Sequence, residues 1–135
     1  MTKLVSFLTG SWDVVRDLRH GDERGGFAGT ATFSREGDGL AWVETGELRL
    51  ESYVGPATRR LAIVPFAGTW EVRFDDGRPF HPLDLERGRC DAVHHCGPDL
   101  YEGEYVVLGD GALDVTWRVT GPAKDQEIVS RYRRR

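Results

Sequence analysis

At 135 residues, with 39% hydrophobic and 30% charged side chains, the chain is long enough to bury one core and too short for two. Its 18 basic and 22 acidic residues are interspersed and leave a net charge of −4, which argues against an electrostatic footprint for nucleic acid. No apolar run approaches the ~20 residues of a membrane helix, and Met1 to Leu8 is too short for a signal peptide, so a cytoplasmic protein is expected.

Taken in chain order, the pattern predicts a helical turn over Lys3 to Leu8 and then strand after strand. Period-2 alternation places strands at Trp12–His20, Phe27–Arg35, Leu40–Glu51, Thr58–Pro65, Thr69–Asp75, His81–Leu85, Arg89–Cys96, Tyr101–Leu108, Leu113–Thr120 and Glu127–Arg133. Gly37-Asp38-Gly39, Asp75-Asp76-Gly77 and Gly109-Asp110-Gly111 supply residues that tolerate positive φ at hairpin tips, while Gly21 to Gly26 reads as a longer, mobile loop. No βαβ rhythm, repeat or linker interrupts this. The expectation is an all-β fold, one domain over residues 1–135, built as a single antiparallel up-and-down β-barrel of about 8–10 strands.

Two features at the ends of the chain fit closure of such a barrel. Gly10-Ser11-Trp12 sets a tryptophan near the start of the first strand, where it plugs one end, and an arginine of the last strand, Arg131 or Arg133, is expected across its ring.

Alternation also sorts the lumen from the surface. Trp12, Val14, Arg16 and Leu18 share one face of the first strand; Leu40, Trp42, Glu44, Gly46, Leu48 and Leu50 share one face of the third. Arg16 and Glu44 therefore point inward with apolar neighbours. A buried unpaired charge is costly, so they are expected to pair with each other or another polar group, or to hold a ligand. Trp70, Val72 and Phe74 oppose Thr69, Glu71 and Arg73, and Leu113, Val115, Trp117 and Val119 oppose Asp114, Thr116 and Arg118. Four tryptophans exceed what closure requires and suit an aromatic or heterocyclic guest, although aromatic stripes also build ordinary cores.

Reactive groups concentrate between His81 and Tyr105. Cys90, Ala92, His94 and Cys96 share a face, and a hairpin through Gly97-Pro98 sets His94 and Cys96 beside Asp99 and Tyr101. The two cysteines, six residues apart on one strand, sit about 20 Å from each other, beyond the ~7 Å reach of a disulfide, and are expected as free thiols. His81, His94 and Cys96 lack the spacing of a metal site, and Cys96 with a neighbouring histidine lacks an orienting third group. Lys124, beside Asp125, is expected in a rim ion pair with it or turned into the mouth toward a ligand anion.

The Gly10-Ser11-Trp12 opening and the arginine-bearing last strand resemble the calycin superfamily of lipocalins, fatty-acid-binding proteins and haem-binding nitrobindins. More specifically, Phe74-Asp75-Asp76-Gly77-Arg78-Pro79-Phe80-His81, the string His94-x-Cys96-x-x-Asp99-x-Tyr101, and Gly121-Pro122-x-Lys124-Asp125 are similar to a family of small bacterial and fungal proteins known as a domain of unknown function. That resemblance spans Phe7 to Arg134. It implies a calycin-like barrel, draws attention to His81, His94, Cys96, Asp99, Tyr101, Lys124 and Asp125, and carries over no activity. The nitrobindin likeness is looser, because the segment after Gly111 contains no histidine; a haem ligand would have to be His81, His94 or His95.

The function expected is a barrel that binds a hydrophobic or heterocyclic metabolite through Arg16, Trp42, Glu44, His81, His94, Cys96, Tyr101, Tyr105, Trp117 and Lys124. It needs no cofactor or metal, works as a monomer or homodimer, and has neither nucleic-acid nor membrane partners. The alternative is a cofactor-independent isomerase, cyclase or dehydratase in the same cavity, with His94 as acid or base and Tyr101 or Glu44 assisting. A haem- or metal-binding barrel is the third reading.

Overall fold

The computed structural model describes residues 2–135. Helix α1 (Thr2–Leu8) leads into ten strands: β1 (Gly10–His20), β2 (Glu23–Glu36), β3 (Gly39–Leu50), β4 (Tyr53–Phe66), β5 (Thr69–Phe74), β6 (Pro79–Leu83), β7 (Arg89–Cys96), β8 (Asp99–Gly109), β9 (Ala112–Gly121) and β10 (Lys124–Arg134). Every ladder is antiparallel, and the sheet order is β6-β5-β4-β3-β2-β1-β10-β9-β8-β7. First and last strands pair along their length, from Trp12↔Arg134 to His20↔Gln126. The sheet thus curls into a nearly closed barrel whose two free edges, β6 and β7, follow one another in the chain. Among the described residues no helix is long and apolar enough to cross a membrane.

Gly21 to Gly26 is not a long mobile loop. Only Gly21 and Asp22 form the turn; Glu23 to Gly26 already pair with His20 to Asp17. Lacking side chains, Gly25 and Gly26 give the alternation pattern nothing to register. The glycines further along have a different purpose. A Cβ on Gly29 would lie 2.1 Å from the carbonyl oxygen of Thr45, and one on Gly46 would lie 2.3 Å from that of Ala28. These cross-strand partners let β2 and β3 bend together at a barrel corner.

One end is sealed. Leu4 and Leu8 of α1 pack with Trp12, Phe33, Leu40, Ile63, Val72 and Leu83 in a continuous apolar core. The fully buried Trp12 indole donates Nε1–H to the Leu8 carbonyl at 2.8 Å. Its ring is covered by Arg134, 4.3 Å from the centroid, not by Arg131 or Arg133. Alternation explains the correction: Arg131 and Arg133 lie on the outer face, paired with Asp17 at 3.0 Å and Asp114 at 2.9 Å, whereas Arg134 shares the parity of buried Tyr132. Arg134 also donates to the carbonyls of Phe7, Thr9 and Asp110, tying both termini together. Simple alternation also fails at Ala41, buried between Leu40 and Trp42, and at Glu71, expected in solvent but 7% exposed and held by Arg73 Nε at 2.9 Å.

Candidate functional site

Midway along the barrel, inward-facing residues of neighbouring strands meet. The ladders set Arg16 opposite Ser130 and Phe27, and Glu44 opposite Arg59 and Ala31. Arg16 donates through Nε to Ser130 Oγ at 2.6 Å, and through Nη2 to Glu44 Oε1 at 2.9 Å and the Tyr132 hydroxyl at 3.0 Å. The Tyr132 hydroxyl in turn donates to Glu44 Oε2, and Trp42 Nε1 donates to the same oxygen at 3.0 Å. Arg59 completes the set, 3.2 Å from Glu44 Oε1 and stacked over Trp42 at 5.4 Å.

The expected pairing of Arg16 with Glu44 is therefore present, inside a larger network. Glu44 is 1% exposed. Burial pushes its carboxyl up, but the Arg59 and Arg16 charges and the Tyr132 hydrogen bond outweigh that and hold it below the usual carboxylate range. Tyr132, buried beside this anion, is driven above the ordinary phenol value and stays protonated.

Above the network lies a chamber of about 230 Å³ whose walls include Phe27, Trp42, Leu61, Phe80, Tyr105 and Trp117. A space of about 150 Å³ is enough to admit benzene. The chamber shares Arg59, Leu61, Phe80, Trp117 and Ile128 with an outer hollow of about 630 Å³, which Phe74, Asp75, Asp76 and Tyr101 extend toward solvent. Trp117 lies flat against β8 because Gly103 has no side chain; a Cβ there would come within 2.7 Å of the indole. Phe80 stacks on Trp117 at 5.0 Å with 16° between planes.

His81, expected as a ligand contact, has both ring nitrogens bonded to protein groups. Its Nδ1 lies 2.7 Å from the Pro82 carbonyl and its Nε2 3.1 Å from the Tyr105 hydroxyl. A carbonyl only accepts, so Nδ1 carries the proton and Nε2 accepts from Tyr105. Burial pushes this imidazole down to about 4, with the nearby His94 adding to the shift against the Pro82 bond. Both nitrogens are committed, and the neutral ring joins β6 to β8 across the seam between β6 and β7. Among the described residues no cluster of three His, Cys, Asp or Glu side chains is arranged to hold a metal.

The remaining expected residues gather at the rim. His94 pairs in register with Tyr101 and Cys96 with Asp99, as the hairpin reading requires. His94 is half-buried, its ring edge-on to Phe74, Phe80 and Tyr101 at 5.2–5.7 Å, whereas Cys96 is exposed; both cysteines are free. Lys124 does not pair with Asp125. Adjacent strand residues face opposite ways, so Lys124 reaches Asp99 at 3.1 Å and the Tyr101 hydroxyl at 3.3 Å, while Asp125 is held by Arg19. Tyr101 lines the outer hollow and Glu44 the inner chamber.

Sequence reasoning missed Arg59, Ser130, Tyr132 and Phe80. The signal for the first three was present as alternation, in Ala57-x-Arg59-x-Leu61 and Ile128-x-Ser130-x-Tyr132. Phe80 belongs to a five-residue strand too short for a pattern.

The chain is similar in fold to the S-type phycobiliprotein lyase CPES from Guillardia theta, with a TM-score of 0.71 and 8% identity, covering 99% of this chain and 92% of that one. It is also similar to two further solved structures. For a fluorescence-activating β-barrel designed de novo the TM-score is 0.52 at 16% identity, with 100% of each chain covered. For the protein EF1p2_mFAP2b bound to DFHBI it is 0.53 at 13% identity, with 100% and 99% covered. At these identities the likeness is one of fold. No curated protein matches the sequence. The sequence pattern of a family of unknown function, DUF6314, matches residues 8–134, and the chain belongs to that family.

Proposed function

We propose that the protein is a cytoplasmic small-molecule-binding barrel that takes a hydrophobic or heterocyclic metabolite into the inner chamber. The observation that carries this reading is the chamber itself: aromatic walls, a base of mutually satisfied polar groups, and a wide outer hollow joined to it. Such a site is pre-formed, and its few polar groups orient a guest. Arg16, Trp42, Glu44, Tyr105 and Trp117 contact the guest inside, with Tyr101, His94 and Lys124 bordering the entry. The protein EF1p2_mFAP2b bound to DFHBI supports the reading, since a chain of similar fold holds that molecule. Two free thiols support a reducing compartment.

The test is a titration with the neutral dye N-phenyl-1-naphthylamine, together with native mass spectrometry of protein purified from its own cells. One dye per chain is expected, with fluorescence enhancement and at least tenfold weaker binding in Ala57→Trp, which fills the chamber wall. Absence of saturable dye binding and of any co-purifying mass overturns the reading.

A further inference from the structure

Resting on that reading, the charges in the chamber point to the class of guest. Two guanidinium groups, Arg16 and Arg59, line it against one carboxylate, Glu44. His81, behind Tyr105, keeps both nitrogens in neutral hydrogen bonds. In the outer hollow Asp75 lies 3.4 Å from Arg60, which also binds Glu36, and Asp76 is bonded to Arg78 at 2.7 Å. Lys124 at the rim is matched by Asp99. Asp76 and Asp99 thus have their own cations and Asp75 shares Arg60 with Glu36, while the inner chamber, with Arg16 and Arg59 against Glu44, keeps one positive charge in excess.

That excess resides on Arg59 rather than Arg16. Arg16 spends its donors on Ser130, Glu44 and Tyr132, and its side chain is 10% exposed. Arg59 holds Glu44 at the longer 3.2 Å, competes with Arg16 for the same Oε1 atom, and has a side chain 44% exposed. It also borders both the chamber and the outer hollow, while its flat face rests on Trp42. A guanidinium in this position offers free N–H donors to a planar oxyanion without breaking the network beneath it.

We infer that the barrel selects an aromatic or heteroaromatic monoanion, its ring against Trp117 and Phe80 and its carboxylate on Arg59. With such a guest, two cations face two anions inside low-dielectric walls. A neutral guest leaves the excess charge in place, and a cationic guest doubles it.

Calorimetric titration with three probes of one shape, 2-naphthoate, 2-naphthamide and protonated 2-naphthylmethylamine, tests this directly. Naphthoate is expected to bind at least tenfold more tightly than naphthamide, the amine more weakly than either, and the naphthoate advantage to shrink between 50 and 500 mM salt. Arg59→Gln is expected to bring naphthoate and naphthamide within twofold of each other, and Arg59→Lys to keep a preference for the anion. Equal affinities in the unmodified protein, or an undiminished preference in Arg59→Gln, overturn the inference while leaving dye binding as evidence for the barrel. Failure of all three probes and of the neutral dye overturns both.

Discussion

The two ends of the barrel are built from similar residues to opposite effect. At the sealed end, aromatic rings have close-packed partners: Trp12 lies between α1 and Arg134, and the leucines of the helix close the gap. At the open end, Phe74, Phe80, His94 and Tyr101 meet mostly edge to face, and Phe74, Phe80 and Tyr101 border empty space. Close packing is therefore concentrated where the cylinder is plugged, and open volume where it is not. The chamber lies at the junction, its base an ion network and its walls rings.

The contrast can be broken first at the plug. Trp12→Ala removes a fully buried indole, its hydrogen bond to Leu8 and its stacking with Arg134; a loss of about 4 kcal/mol is expected from urea unfolding. A loss below about 1 kcal/mol would show that the sealed end is not where stability resides.

A second break comes from acid. Unfolded His81 takes up a proton near pH 6.5, whereas the native ring resists until about 4. The stability contributed by the neutral ring is intact above pH 6.5 and drains away as the pH falls toward 4. Urea midpoints at pH 7 and pH 4 are expected to show a loss about 3 kcal/mol greater in the native protein than in His81→Gln.

The smallest effect sharpens the same comparison. Arg134→Ala, at the plug, is expected to cost about 1 kcal/mol through lost stacking and carbonyl contacts, and Arg131→Ala, in an outer-face pair with Asp17, under about 0.5 kcal/mol. Thermal melts of the two variants side by side decide it, and an equal loss would remove the distinction between them.

Most of the architecture is legible in the residues, because one face of each strand is buried and period 2 survives in the sequence. Trp12, Val14 and Arg16, or Leu113, Val115 and Trp117, show it plainly. The inward pairing of Arg16 with Glu44 follows from the same parity. What escaped has physical causes. Gly25 and Gly26 carry no side chain to alternate, and Glu71 is buried on the outer face, where parity alone predicts solvent. Arg134 covers Trp12 because it shares the inward parity of Tyr132, and that required β10 to run one residue beyond the expected end at Arg133. The rim was harder still. Lys124 and Asp125 are adjacent in the chain, yet each finds its partner on another strand, and His81 gives no sign in sequence that both its nitrogens are engaged.

The seam between β6 and β7 gives the cylinder a lengthwise slit held by interleaved rings and one imidazole–phenol bond instead of a ladder of amides. Separating those margins ruptures contacts between side chains and spares the backbone pairing elsewhere, so it is the least costly deformation available to the wall. Solvent deuterium should reach the facing amides of these two strands sooner than those of β1 and β10.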